Sequence, residues 1–153
     1  MKIAVISDIH GNFDALESVM EDIKAQGCEK IFVLGDYAMA GPEPSLTIDY
    51  FFKKQFDTDI RMIQGNTDLM IADYSEDLYN TLKSKAPIMS EALKNDVAIL
   101  NPIQKDFLKN LPIQLEETVE GIKILLVHGS PRRNNEDILP DTPLEETMGA
   151  LAQ

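Results

Sequence analysis

The chain has 153 residues, a formal net charge of −12 and a sequence pI near 4.5, with 44% hydrophobic and 26% charged residues. That length suits one domain with a true core, and so acidic a surface repels nucleic-acid backbones, although a metal ion can still invert the local field for a phosphate group. A single cysteine, Cys28, excludes an internal disulfide framework and fits a reducing, cytoplasmic setting; the apolar start is cut at Asp8, before any leader cleavage site, and no run reaches membrane-span length.

"KIAVIS" opens the chain as a β-rich apolar run and reads as a buried strand. "NFDALESVMEDIKAQG" follows as a helix, with Asn12 as N-cap, Phe13, Leu16, Val19, Met20 and Ile23 on one face, and Gly27 as its stop. "KIFVLGD" is a second buried strand running into Gly35-Asp36, "YAMAGPEP" is loop, and "SLTIDYFFKKQ" is helix. "DIRMIQGN" is a third strand, ending in a Gly-Asn turn. Strands alternating with helices imply a mostly parallel sheet covered by helices.

From about Asp68 to Asn110 the pattern is helical, with Asn101 and Pro102 as N-cap and first position of its last helix and Ile103, Phe107, Leu108 and Leu111 on one face. "IQLEETV" and "IKILLVH" then read as two strands joined at Gly121, and "GSPRRNNEDILPD" as loop. The final segment has Thr142 as N-cap, Pro143 next, Glu145 closing a capping box, and an apolar stripe of Leu144, Met148 and Leu151. The chain is expected to form a single domain over residues 1–153.

The unusual polar residues fall at strand ends. Asp8 and His10 follow the first strand, Asp36 the second, Asn66 and Asp68 the third, and His128 the last. In open α/β sheets that rim is where ligands bind, so the chain's two histidines should converge there with carboxylates and an amide. Imidazole, carboxylate and amide oxygen suit manganese, iron, zinc or magnesium better than a thiolate-seeking metal. A carboxylate between two ligand groups can bridge two ions about 3.5–4 Å apart, which clamp a phosphoryl group and acidify a water. Each piece alone has an ordinary explanation: Gly-Asp and Gly-Asn are common turn chemistry, and a strand-end histidine can simply bond a backbone carbonyl. Four strand ends each carrying a ligand-type residue are much harder to explain that way.

"SDIHGN", "GDYAMAGPEP", "GNTD" and "VHGSP" resemble, in order, the signature blocks of the calcineurin-like metallophosphoesterases, and most closely their small bacterial and archaeal phosphodiesterases. The resemblance covers nearly the whole chain. It implies an α/β fold, a two-sheet sandwich flanked by helices, with two divalent metal ions on one edge, manganese favoured among manganese, iron, zinc and magnesium. It also implies roles. Asp8 and His10 bind the first ion, Asp36 bridges both, and Asn66 and His128 bind the second, while a hydroxide between the ions attacks phosphorus in line. Asn12 is a candidate phosphate contact, with helix capping as its competing role. Arg132 and Arg133 are candidates to neutralise phosphate charge, with a solvated loop as the alternative.

Two departures from the family pattern stand out. Many members carry histidine between the Asn and Asp of the third block, where it protonates the leaving group. Thr67 stands there in this chain and cannot act as an acid near neutrality. Asp68 is then a candidate catalytic substitute beside Asn66, and activated or diester substrates should suffer least. The family also ends in a Gly-His-x-His block that supplies further ligands, and no histidine follows His128. The expectation is a fold whose last part is missing, with an exposed sheet edge and an unpacked final helix. The leading function is metal-dependent phosphoester hydrolysis of a small phosphoester substrate. Neither nucleic-acid backbone binding nor a membrane partner is expected, and a homo-oligomer is not excluded. The rival is a non-catalytic interaction scaffold of the same fold with a weakened metal site.

Overall fold

A computed structural model describes residues 1–152. Three short strands, β1 (Ile3–Ile6), β2 (Lys30–Val33) and β3 (Ile60–Met62), form a parallel sheet in the order β1-β2-β3. Helices α1 (Phe13–Ala25) and α2 (Pro44–Lys53) make the crossovers between them. Four helices follow: α3 (Asn66–Ala72), α4 (Glu76–Lys85), α5 (Pro87–Ile99) and α6 (Pro102–Asn110). Then comes an antiparallel hairpin, β4 (Gln114–Val119) and β5 (Ile122–Val127), and a last helix, α7 (Leu144–Leu151).

The parallel sheet has two different faces because side chains alternate along a strand. Val33, Ile60 and Met62 point to the helices and join a large core with Leu16, Ile48, Phe51, Ile71, Leu93, Leu100, Phe107 and Leu108. Phe32 and Ile63 point the other way and meet Val119 and Leu126 of the hairpin in a second, smaller core. The result is two sheets face to face, with helices outside the first. Glu117 of β4 adds a polar tie, accepting from Lys30 Nζ of β2 and Arg61 Nε of β3, each at 2.8 Å.

Local signals act largely where expected. Asn12 caps α1 by accepting the Ala15 N–H at 3.1 Å, and Asn101 and Gln104 cap α6 reciprocally. Gly121 turns the hairpin with φ +82°, next to Glu120 at +50°. Several readings need correction. Among the described residues β1 is an edge strand with a single partner, and Val5 is 59% exposed, so it is not buried as its apolar run suggests. On α6, Ile103 is exposed and Gln104 takes the buried place, its amide bonding Ser45 O and Asp49 Oδ1. Val19 on α1 is also largely exposed. The Thr142–Glu145 capping box does not form: Pro143 occupies the cap position of α7, and Thr142 Oγ1 accepts instead from Leu139 N at 2.8 Å. The stripe of Leu144, Met148 and Leu151 faces solvent, while Ala150 is buried.

Candidate functional site

Loops at the C-terminal ends of β1, β2, β3 and β5 meet on one rim. The first two are zipped together by backbone bonds: Asp8 N donates to Gly35 O, His10 N to Asp36 O and Gly11 N to Tyr37 O, at 2.8–3.1 Å. This packing is tight enough to exclude side chains at key points. A Cβ at Gly65 would overlap the Asp36 carboxylate and backbone, and one at Gly35, whose φ is +96°, would overlap the Gly65 backbone. Three non-glycine residues of the site, Asp8, His10 and Asp36, sit at φ of 50–57°. Such strain persists where surrounding structure over-determines it, typically at functional sites.

The side chains form a continuous ligand row. His10 Nε2 lies 3.7 Å from Asp8 Oδ1 and 3.7 Å from Asp36 Oδ2. The other Asp36 oxygen, Oδ1, lies 3.5 Å from His128 Nε2, which is 2.9 Å from Asn66 Oδ1. Asp36 is buried and keyed in place by the Thr67 N–H, which donates to its Oδ1 at 3.0 Å. Each histidine turns its Nδ1 to backbone carbonyls, His10 to Ala38 and Met39 at 3.1 Å each and His128 to Leu34 at 2.7 Å. A carbonyl only accepts, so Nδ1 carries a hydrogen in each ring, which leaves Nε2 facing the oxygens of the row as the nitrogen that would bind an ion. This is the outer-shell arrangement of metal-binding histidines. Ligand atoms on one ion with bonds of about 2.0–2.2 Å stand roughly 3.0–3.5 Å apart, so the observed spacings fit a cation with small adjustments. Asp8, His10 and Asp36 alone place three ligand atoms within 4.8 Å of one another.

The remaining candidates separate. Asp68 is fully buried, and its two oxygens accept the backbone N–H groups of Asp36 (2.8 Å), Tyr37 (3.0 Å) and Gly65 (2.8 Å). It therefore faces the scaffold and not a leaving group. Burial pushes its carboxyl up to about 7, with the Asp36 carboxylate adding to the rise and the three N–H donors opposing it. Thr67 is buried too, its Oγ1 donating to Ala38 O at 3.4 Å. Asn12 spends its carbonyl oxygen on the α1 cap. Arg132 is engaged by Glu136, donating from Nε at 2.8 and 3.0 Å and from Nη2 at 2.6 Å, and Arg133 Nη2 joins the same carboxylate at 3.1 Å. Together with the Ser130 hydroxyl, Arg132 holds the Glu136 carboxyl down at about 2. Tyr37 packs in the core and donates to Ile63 O.

A cavity of about 280 Å³ opens beside the row, lined by Asp8, Asn66 and His128 on one side and by Asn134, Asn135 and Glu136 of the loop after β5 on the other. A larger groove of about 570 Å³ lies around Phe56, Thr58 and Ile103 and includes none of the row. Sequence reasoning missed Asp96, buried on α5, whose Oδ2 accepts the Met39 N–H at 2.7 Å. Its signal is an acid on the stripe that also carries Leu93 and Leu100.

The family model described as calcineurin-like phosphoesterase matches residues 1–148. The chain belongs to the calcineurin-like phosphoesterase family. An uncharacterized protein of Methanocaldococcus jannaschii is 33% identical over 143 residues, which cover 91% of this chain and 54% of that one. The crystal structure of a hypothetical protein from Pyrococcus horikoshii has TM-score 0.80 at 26% identity, covering 97% of this chain and 63% of the other. A metallophosphoesterase from Sphaerobacter thermophilus has TM-score 0.67 at 28% identity, covering 90% and 51%. This calcineurin-like chain thus spans about half the length of the curated relative it matches. The family implies divalent metal ions, and the donor row fits such ions. Among the described residues, no helix is long and apolar enough to cross a membrane.

Proposed function

We propose that the chain carries the ligand row of a two-metal phosphodiesterase, with manganese the favoured ion. One observation carries the reading: the two oxygens of Asp36 face different histidines, Oδ2 toward His10 and Oδ1 toward His128. That is the geometry of a carboxylate shared between two cations, with Asp8 and His10 on one side and Asn66 and His128 on the other. Divalent ions in such a site supply an acidified water and positive charge for the phosphoryl oxygens. The chain's own part is to hold the row rigid, through the backbone zipper and the two Nδ1–carbonyl bonds, and to leave the cavity beside Asn66 and His128 open to a small substrate. The amides of Asn134 and Asn135 line that cavity together with the Glu136 and Asp137 carboxylates, a wall that suits a diester better than the more negative monoester. Asp68 and Thr67, being buried, offer no leaving-group proton, and this favours substrates with good leaving groups.

The test is titration calorimetry of this chain with manganese, paired with turnover of bis(p-nitrophenyl) phosphate. Two ions bound and diester cleaved faster than the monoester support the reading. Absence of ion binding and turnover across several divalent metals would overturn it in favour of the interaction scaffold.

A further inference from the structure

We infer that Asp96, on α5 and far in sequence from every residue of the ligand row, is a positioning residue that fixes the imidazole of His10 through a single peptide group. The inference rests on the metal-site reading for its purpose, but its geometry stands independently. The peptide unit joining Ala38 to Met39 is gripped at both ends. Its N–H, from Met39, donates to Asp96 Oδ2 at 2.7 Å. Its C=O, from Ala38, faces His10 Nδ1 at 3.1 Å, and the next carbonyl, Met39 O, faces the same nitrogen at 3.1 Å. A peptide group is planar and stiff, so its N–H and C=O move together. A carboxylate that fixes one end therefore orients the other.

This segment needs such a grip. Met39 and Ala40 sit at φ +79° and +75°, where a Cβ is unfavourable, and neither is glycine. Asp96 is nearly buried, so its bond to Met39 N is shielded from water and charge-assisted. Bonds in series through a peptide also polarise one another: the carboxylate draws on the N–H, which makes the Ala38 carbonyl a better acceptor for the His10 Nδ1 hydrogen. The arrangement is a carboxylate–histidine pair with a peptide inserted between the partners. Its output is a fixed tautomer, with the hydrogen on Nδ1 and the Nε2 lone pair directed at Asp8 and Asp36. Because α4 and α5 pack as a pair, the same bond anchors that helical layer to the site.

The experiment reads the His10 tautomer by long-range ¹H–¹⁵N correlation in the metal-free protein. The unaltered chain should show hydrogen on Nδ1; hydrogen on Nε2 overturns the inference without any variant. Asp96→Ala should give a mixed His10 tautomer and weaken manganese binding by about 10-fold to 100-fold, while the His128 tautomer, held by Leu34, stays unchanged. Asp96→Asn retains an acceptor oxygen and should keep the tautomer, with affinity within about threefold. It also serves where Asp96→Ala fails to fold. A lowered melting temperature with unaltered tautomer and affinity would make Asp96 structural only, and an Asp96→Asn variant with a mixed tautomer would overturn the acceptor role. Failure of the metal-site reading looks different: the unaltered chain then keeps its tautomer and binds no manganese.

Discussion

Asp36 and Asp68 lie in one tight knot of backbone but face opposite ways, and their substitutions should separate. Asp36 presents an oxygen to each histidine, so Asp36→Ala is expected to abolish manganese binding and turnover. His10→Ala removes one side only and should leave residual binding of one ion, and calorimetric stoichiometry distinguishes the two. Asp68 contributes through the three N–H groups it accepts from the second and third loops. Asp68→Ala leaves those buried donors unpaired, each a loss of about 1–3 kcal/mol, so unfolding stability should fall by roughly 3 kcal/mol or more. Urea denaturation measures it. The contrast was half legible in the sequence. Both residues follow strand ends, so strand-end position marks Asp8, His10, Asp36, Asn66, Asp68 and His128 alike. Which of them turns toward the ligand row depends on loop dihedrals such as φ +57° at Asp36, and no residue-type pattern encodes those.

The elements that carry the site are loops, and their rigidity has identifiable sources. In the loop after β5, Glu136 gathers the Ser130 hydroxyl and the Arg132 and Arg133 guanidiniums. Its carboxyl is held at about 2, below its ordinary 4.5. A carboxyl lowered in the folded state contributes stability above its unfolded value and loses it as pH falls through the folded one. The melting temperature of Glu136→Gln should therefore lie below that of the unaltered chain at neutral pH. The gap should narrow from about pH 4.5 downward and close near pH 2, which a series of thermal melts against pH would follow. Gly65 gives a second check at this scale. A side chain there collides with Asp36, so Gly65→Ala should cost about 3 kcal/mol and weaken manganese binding together. Arg132 and Arg133 were readable as basic residues beside the site, but their capture by Glu136 was not. Three and four residues of irregular loop separate them, and no helical or strand periodicity links such positions.

At the scale of the molecule, the two sheets are joined by apolar packing and by one ionic knot. The alternation in "KIFV" places Phe32 toward the hairpin and Val33 toward the helices, so both cores were implicit in strand periodicity. The edge position of β1 was not, because an apolar run reads the same with one neighbour or two. The smaller core of Phe32, Ile63, Val119 and Leu126 is buried between the two sheets. Leu126→Ala removes buried methyl groups from a site flanked by strands on both sheets, where backbone cannot easily collapse, and should cost about 2–5 kcal/mol. The ionic knot looks prominent, since Glu117 meets both Lys30 and Arg61 at 2.8 Å. All three groups nevertheless stay partly in contact with water, where screening and side-chain entropy offset most of the attraction. Glu117→Gln should therefore cost only about 1 kcal/mol, and less at high salt. Chemical denaturation of the two variants at low and high ionic strength measures both terms. A Glu117→Gln loss equal to that of Leu126→Ala would mean that charge, and not the buried apolar layer, holds the hairpin on the sheet that bears Asp8 and Asp36.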